Sequence, residues 1–218
     1  MNDVYADTAR PQSLGEEVAN SLSHGIGLLL AIASIPILVI AAASHADAAQ
    51  ITGVSIFGAT MVFAYLSSAL YHALPAGKAK RVMQLVDHAA IFLLIAGTYT
   101  PFTLGALWGA WGWSLFGVVW GLALMGIVLK TCVGTRYQNL SLGLYLAMGW
   151  LVLIAIRPLY LHVPAWGLFW LVAGGLAYTI GVVFFVLDEK VRYAHAIWHV
   201  FVLAGTCCHF VAVLWYAA

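Results

Sequence analysis

Apolar runs of about 20 residues recur along this chain with few charges inside them, and that recurrence leaves few folds open. Each run is long enough, as a helix, to cross a hydrocarbon core of ~30 Å. They fall at 22–43, 51–74, 85–106, 110–130, 139–157, 164–187 and 195–216. The chain is 64% hydrophobic and 8% charged, whereas a soluble domain carries roughly 25% charged residues. A soluble fold cannot hide this much apolar surface behind a charged exterior. The ~10-residue alternating segments of a membrane barrel are absent. The expectation is an all-α membrane protein, a seven-transmembrane helix bundle forming one domain over 1–218, with a short polar segment at 1–18 before the first span.

Orientation follows from lysine and arginine. Arg10 precedes the first span. Lys78, Lys80 and Arg81 lie between spans 2 and 3, Lys130 and Arg136 between 4 and 5, and Lys190 and Arg192 between 6 and 7. All eight fall on one side, and only Arg157 on the other. The N-terminus is therefore expected in the cytoplasm and the C-terminus outside. Asp3, Asp7, Glu16 and Glu17 against Arg10 give the wrong charge for a secretory signal. The formal net charge of +1, with no basic run, points to no nucleic-acid partner. Cys132, Cys207 and Cys208 suggest no disulfide framework and are expected as small buried hydrophobes. Trp108, Trp111, Trp113, Trp150 and Trp166 lie near proposed span ends or loops and are expected mostly as interfacial anchors.

Ionisable groups inside spans are costly and usually functional. With alternating span directions, the few in this chain converge. Glu17, Asn20 and His24 share one face at the inner end of span 1. Ser68 and His72 stand at i and i+4 at the inner end of span 2, Asp87 and His88 open span 3, and His195 and His199 stand at i and i+4 at the start of span 7. Residues four apart on a helix have Cβ atoms ~5–6 Å apart, so both imidazoles of span 7 can reach one ion. Three neutral imidazoles, His72, His195 and His199, with one open position for water form the ligand set of a catalytic zinc site. A hydrogen-bonded polar cluster accounts for Ser68, Asn20 and His24, but does not require three imidazoles.

Asp87 can bind the ion directly, act on water beside it, or accept from a ligand histidine; contact through water is preferred here. His88, about 100° away around the helix, is expected at the membrane interface. His209 lies about 15 Å beyond His199 along the helix, too far for ligation, and is expected to make a buried hydrogen bond. His45 and His162 fall in outer loops.

Glu17-x-x-Asn20-x-x-x-His24, Ser68-x-x-x-His72 followed by Asp87, and His195-x-x-x-His199 resemble the three motifs of the progestin and adiponectin receptor family. The runs Asn20-Ser21-Leu22-Ser23-His24-Gly25, Tyr71-His72-Ala73-Leu74-Pro75, Asp87-His88-Ala89-Ala90-Ile91-Phe92, Gly97-Thr98-Tyr99-Thr100-Pro101 and Ile197-Trp198-His199-Val200-Phe201 resemble its bacterial branch, the hemolysin III proteins. The resemblance covers about Glu17 to His209. It implies a seven-helix bundle with a cytoplasmic N-terminus, Zn²⁺ on His72, His195 and His199, Asp87 close by, and kinship with membrane hydrolases. The expected location is the bacterial inner membrane.

The leading expectation is a zinc-dependent hydrolase of lipid amides or esters, with Asp87 and Ser68 in catalysis and a membrane lipid as substrate. The alternative is a non-enzymatic regulator or sensor of membrane lipid state in which metal staples the helices. A pore-former ranks lower, because most charges sit in loops and no channel lining is visible.

Overall fold

A computed structural model describes residues 10–44, 47–134 and 137–217. Every regular element among them is helical: α1 Leu14–Ala43, α2 Ala48–Ala73, α3 Lys78–Leu104, α4 Ala110–Val133, α5 Gln138–Gly149, a 3₁₀ run Trp150–Ala155, α6 Ile156–His162, α7 Ala165–Leu187 and α8 Ala194–Tyr216. Seven of the resulting spans are long and apolar enough to cross a membrane, with α5, the 3₁₀ run and α6 together forming the fifth. The protein is a multi-pass integral membrane protein. His45 and Arg136 lie outside the described residues.

The helix starts lie where local chemistry puts them. Ser13 caps α1 in a reciprocal capping box with Glu16, so that helix begins eight residues before its apolar run and carries Glu17 and Asn20 within it. Asp47 and Gln50 cap α2 in the same way. α3 begins at Lys78, seven residues earlier than hydropathy predicts, so Asp87 sits two and a half turns inside it rather than at its mouth. Lys80, in the first turn of α3, donates to the carbonyls of Tyr71 and Leu74 at the end of α2, each at 3.1 Å, and so serves the unpaired carbonyls of that terminus. α1 continues through Pro36 and α3 through Pro101.

The core runs between α1, α2, α3 and α8, where Leu38, Phe57, Met61, Tyr65, Phe92 and Val213 are nearly inaccessible. Gly27 lets α1 and α2 approach closely: a Cβ there would stand 2.7 Å from the Tyr65 ring. The outward faces are apolar, as lipid requires, with Leu22, Ile40 and Trp215 exposed. This also corrects the expectation for cysteine. Cys132 and Cys207 are exposed and Cys208 is half-buried, because a membrane span offers an apolar environment on its outside too. Trp108, Trp111, Trp113 and Trp166 are exposed, consistent with interfacial anchoring. Trp150 differs: it lines an internal cavity and donates from Nε1 to Thr179 Oγ1 at 3.0 Å.

The fifth span is interrupted where the 3₁₀ run begins. The Tyr99 hydroxyl, from α3, lies 2.9 Å from the Met148 carbonyl and 2.8 Å from that of Gly149, and accepts from the Val152 N–H at 2.9 Å.

Candidate metal centre

The bundle end rich in lysine and arginine gathers the predicted polar residues. α1 is pinned to the start of α8 by Glu16, a residue sequence reasoning passed over for its neighbour Glu17. Glu16 is buried and accepts from the Arg10 guanidinium, from the Ser13 hydroxyl and N–H, and from the Tyr193 N–H at 3.0 Å. This hydrogen-bonded carboxylate holds the Arg10 guanidinium above its ordinary pKa. Tyr193, immediately before α8, has φ +60°, a left-handed conformation that turns its N–H toward Glu16. The Ser13-x-x-Glu16 pattern was the available signal.

Three imidazoles meet beneath this clamp. His72 comes from the last turn of α2, His195 and His199 from the first two turns of α8. Their ring centroids form a nearly equilateral triangle: 5.0 Å from His72 to His195, 5.1 Å from His72 to His199 and 4.7 Å from His195 to His199. One ring nitrogen from each lies within 4.8 Å of the other two, and among the described residues these three form the cluster that can hold an ion.

Each ring is held from behind at Nδ1. His72 Nδ1 is 2.8 Å from Glu17 Oε2, and the other oxygen of Glu17 is 2.8 Å from Lys80 Nζ. His195 Nδ1 is 2.7 Å from Asp188 Oδ2, at the end of α7. His199 Nδ1 is 3.2 Å from the Asn20 carbonyl and 3.1 Å from Ser23 Oγ. Nε2 is then the nitrogen left on each ring for an ion, and that of His72 is buried without a partner. A ligand imidazole whose other nitrogen meets a carboxylate or carbonyl is the usual arrangement around a protein-bound metal. The all-nitrogen donor set, the backing acceptors and the orphaned Nε2 fit a divalent cation such as zinc.

Asp188 and Ser23 were absent from the sequence-level set. Asp188 was counted with a loop, although its seven-residue separation from His195 brings it back across the α7–α8 turn. Asn20 contributes through its backbone, and its Nδ2 also lies 3.4 Å from His72 Nδ1 and bonds Gln12. His24 stacks flat on His199 and meets Tyr65 edge-on at 5.1 Å. Both nitrogens of His24 are buried without hydrogen-bond partners.

The cluster opens onto a cavity of about 410 Å³. His24, Ser68, Asp87, His195 and His199 stand at its polar end, and Ser68 Oγ is buried without a partner. Asp87 does not join the mutually close nitrogens, but lines the same space. The wall then runs along α3 from Asp87 to Phe102, about 22 Å of helix, and is almost entirely apolar. His209 lines the deeper part and makes the expected buried hydrogen bond, Nε2 to the Leu171 carbonyl at 3.3 Å. Gly174 makes room for it, since a Cβ there would fall 2.7 Å from His209 Nε2.

Three expectations fail here. His88 lines the cavity rather than the membrane interface. Lys130, counted as a loop charge, lies within α4 and is buried, 3.5 Å from His88 Nδ1. The pattern of a short charged connection after an apolar run cannot tell a lysine one turn before a helix end from one just beyond it. His162, expected in an outer loop, is the last residue of α6, its Nδ1 2.8 Å from the Pro158 carbonyl.

Comparison with known proteins now decides the relationship. The profile described as Haemolysin-III related matches residues 12–210. The chain belongs to this family. A Hemolysin-3 homolog of Bacillus subtilis (strain 168) is 45% identical over 204 residues, covering 94% of this chain and 95% of that protein. Hemolysin-3 of Bacillus cereus is 43% identical over 209 residues, covering 96% and 95%. The human monocyte to macrophage differentiation factor is 28% identical over 167 residues, covering 72% and 67%. No solved structure matches. In this haemolysin-III-related chain, the match takes in all three polar motifs, from Glu17 to His199.

Proposed function

We propose that the protein is a zinc-dependent hydrolase of a lipid amide or ester, working at the cytoplasmic side of the bacterial inner membrane. One observation carries this reading: three clustered imidazoles, each backed at Nδ1, of which His195 and His199 line an apolar cavity that also contains a carboxylate. His72, His195 and His199 would hold the ion. When bound, Zn²⁺ supplies a Lewis acid that polarises a carbonyl and brings the pKa of water down to about 7.

The chain's own residues do the rest. Asp87 receives the proton of the water that attacks the carbonyl carbon, and returns it to the amine or alkoxide as the C–N or C–O bond breaks. The products are a carboxylic acid and an amine or alcohol. Ser68, with its hydroxyl otherwise unpaired, donates to the carbonyl oxygen or to Asp87. The apolar wall along α3 receives the acyl chain and excludes water from everything but the polar end. The lysine and arginine asymmetry supports a cytoplasmic site, and bacterial relatives support the inner membrane.

A second reading is a metal-stapled regulator of membrane lipid state. It is favoured by the ligands' origin on two helices, α2 and α8, with α1 backing both. Purified protein, assayed for zinc and for hydrolysis of long-chain amide and ester substrates with and without chelator, separates the two. Chelator-sensitive turnover is expected. Stoichiometric zinc without turnover leaves the stapled regulator, and absence of zinc removes both.

A further inference from the structure

Lys130 is an anomaly for a membrane protein. It is 2% exposed, yet none of the ion pairs among the described residues includes it. Asp87, adjacent in sequence to its neighbour His88, is beyond ion-pair distance. A buried ammonium without a counter-charge is strongly disfavoured. Among the described residues its hydrogen-bonding contact is with His88 Nδ1, at 3.5 Å, so most of the hydrogen-bonding capacity of its three N–H groups is unspent.

That contact has a direction. With Lys130 protonated, its ammonium has no lone pair, so Lys130 donates and His88 Nδ1 accepts. The proton of the neutral His88 ring is then on Nε2. His88 lines the cavity beside Asp87, and its backbone is fixed by the Tyr145 hydroxyl, which donates to the His88 carbonyl at 2.7 Å. The cavity wall thus carries an N–H donor polarised by a cation directly behind it. In a site screened from water, such a pair attracts negative charge over a distance that water would quench.

We propose that Lys130 and His88 form an anion-recognition subsite of the cavity, taking an anionic oxygen group, phosphate or carboxylate, carried on the lipid whose chain occupies the apolar wall. His88 Nε2 makes the contact and Lys130 supplies the compensating charge. The proposal rests on the reading of the cavity as a lipid site, and names the headgroup class that this site prefers.

The test is binding, not turnover. Purified protein in nonionic detergent is titrated with tetradecyl phosphate, tetradecanol and inorganic phosphate, with complexes counted by native mass spectrometry. Wild type is expected to bind tetradecyl phosphate about tenfold or more tighter than the alcohol, the scale of one charge-assisted hydrogen bond, and inorganic phosphate far more weakly. Lys130→Met should erase the preference, leave alcohol binding unchanged and melt no lower than wild type, since it replaces an uncompensated buried charge. Lys130→Arg should keep the preference. If Lys130→Met does not fold, His88→Leu carries the same comparison. A preference that survives in these variants overturns the subsite. Equal wild-type binding of phosphate and alcohol overturns it while leaving the lipid cavity intact. Binding of neither amphiphile removes the cavity reading as well. Inorganic phosphate competing as strongly as the alkyl phosphate overturns the lipid-borne assignment in favour of a free anion.

Discussion

The imidazoles of His24 and His199 lie face to face, with centroids 3.5 Å apart and planes 9° apart. One belongs to the histidine cluster that could hold a metal and the other, from a different helix, has no hydrogen bond of its own among the described residues. The stack limits how far the His199 ring can turn about its long axis. His24→Ala is expected to weaken zinc binding by about 10–100-fold, the range seen when a group orienting a ligand is lost. His24→Phe keeps a flat face and should remain close to wild type. Competition against a zinc-chelating dye measures both. A folded His24→Phe protein that loses zinc as badly as His24→Ala would make the imidazole nitrogens, and not the stack, the important part.

Asp188 offers a second test of the backing groups. Its oxygen lies 2.7 Å from His195 Nδ1. Asp188→Asn leaves an acceptor but removes the charge that makes the ring a stronger donor to metal. Zinc affinity should fall by about tenfold, within the range for such partners, while the helical content is unchanged. Unaltered affinity in the same dye competition would assign Asp188 to the α7–α8 turn alone.

Asp87 separates chemistry from metal retention. Asp87→Asn keeps the size of the side chain and loses the base. Zinc content should fall little, because three imidazoles remain, and hydrolysis should fall by about 10²–10⁴-fold. Zinc stoichiometry and turnover are measured on the same preparations. Loss of zinc together with activity would make Asp87 a direct ligand, and full activity with full metal would remove it from the mechanism.

Glu16 is a structural prediction. Five of the hydrogen bonds that tie residues 10–13 and the start of α8 to α1 end on its carboxylate. Glu16→Ala strands the Tyr193 N–H and removes the carboxylate partner of Arg10, and should lower the stability. Thermal melting in detergent should show a clear drop, with a zinc-dependent component, since the clamp brings Asn20 and Ser23 to His199. An unchanged melting temperature would contradict this assignment.

Topology is directly measurable. A reporter fused after Ala218 that is active only outside the cytoplasm should be active. One active only in the cytoplasm should be silent there, and a strong signal from it would reverse the orientation and the side of the proposed site.

Most of this arrangement was legible because two periodicities agree. The ~20-residue apolar runs give the spans, and i, i+4 spacing within them brings His195 with His199 and Ser68 with His72 to one face. Alternating span direction then carries His72, Asp87 and His195 to one end. Illegible features turn on single-residue choices that pattern does not resolve. Glu16 and Glu17 are adjacent, but a turn of about 100° sends one to the α8 start and the other to His72. Lys130 and Asp188 look like loop charges because hydropathy blurs a helix end by a turn. Trp150 looks like an anchor because a break in the fifth span cannot be read from its apolar composition.

That break has a consequence for how the protein is made. In lipid, backbone groups freed by a helix interruption need another partner. Here the Tyr99 hydroxyl serves the Met148 or Gly149 carbonyl and the Val152 N–H, and the Trp150 indole is received by Thr179. Emerging from the ribosome, the fifth segment finds Tyr99 already in the bilayer but must wait for Thr179, which arrives with α7. Its insertion is therefore a docking event, completed against earlier and later parts of the same chain, and a truncation ending after α6 would leave the segment without its second anchor.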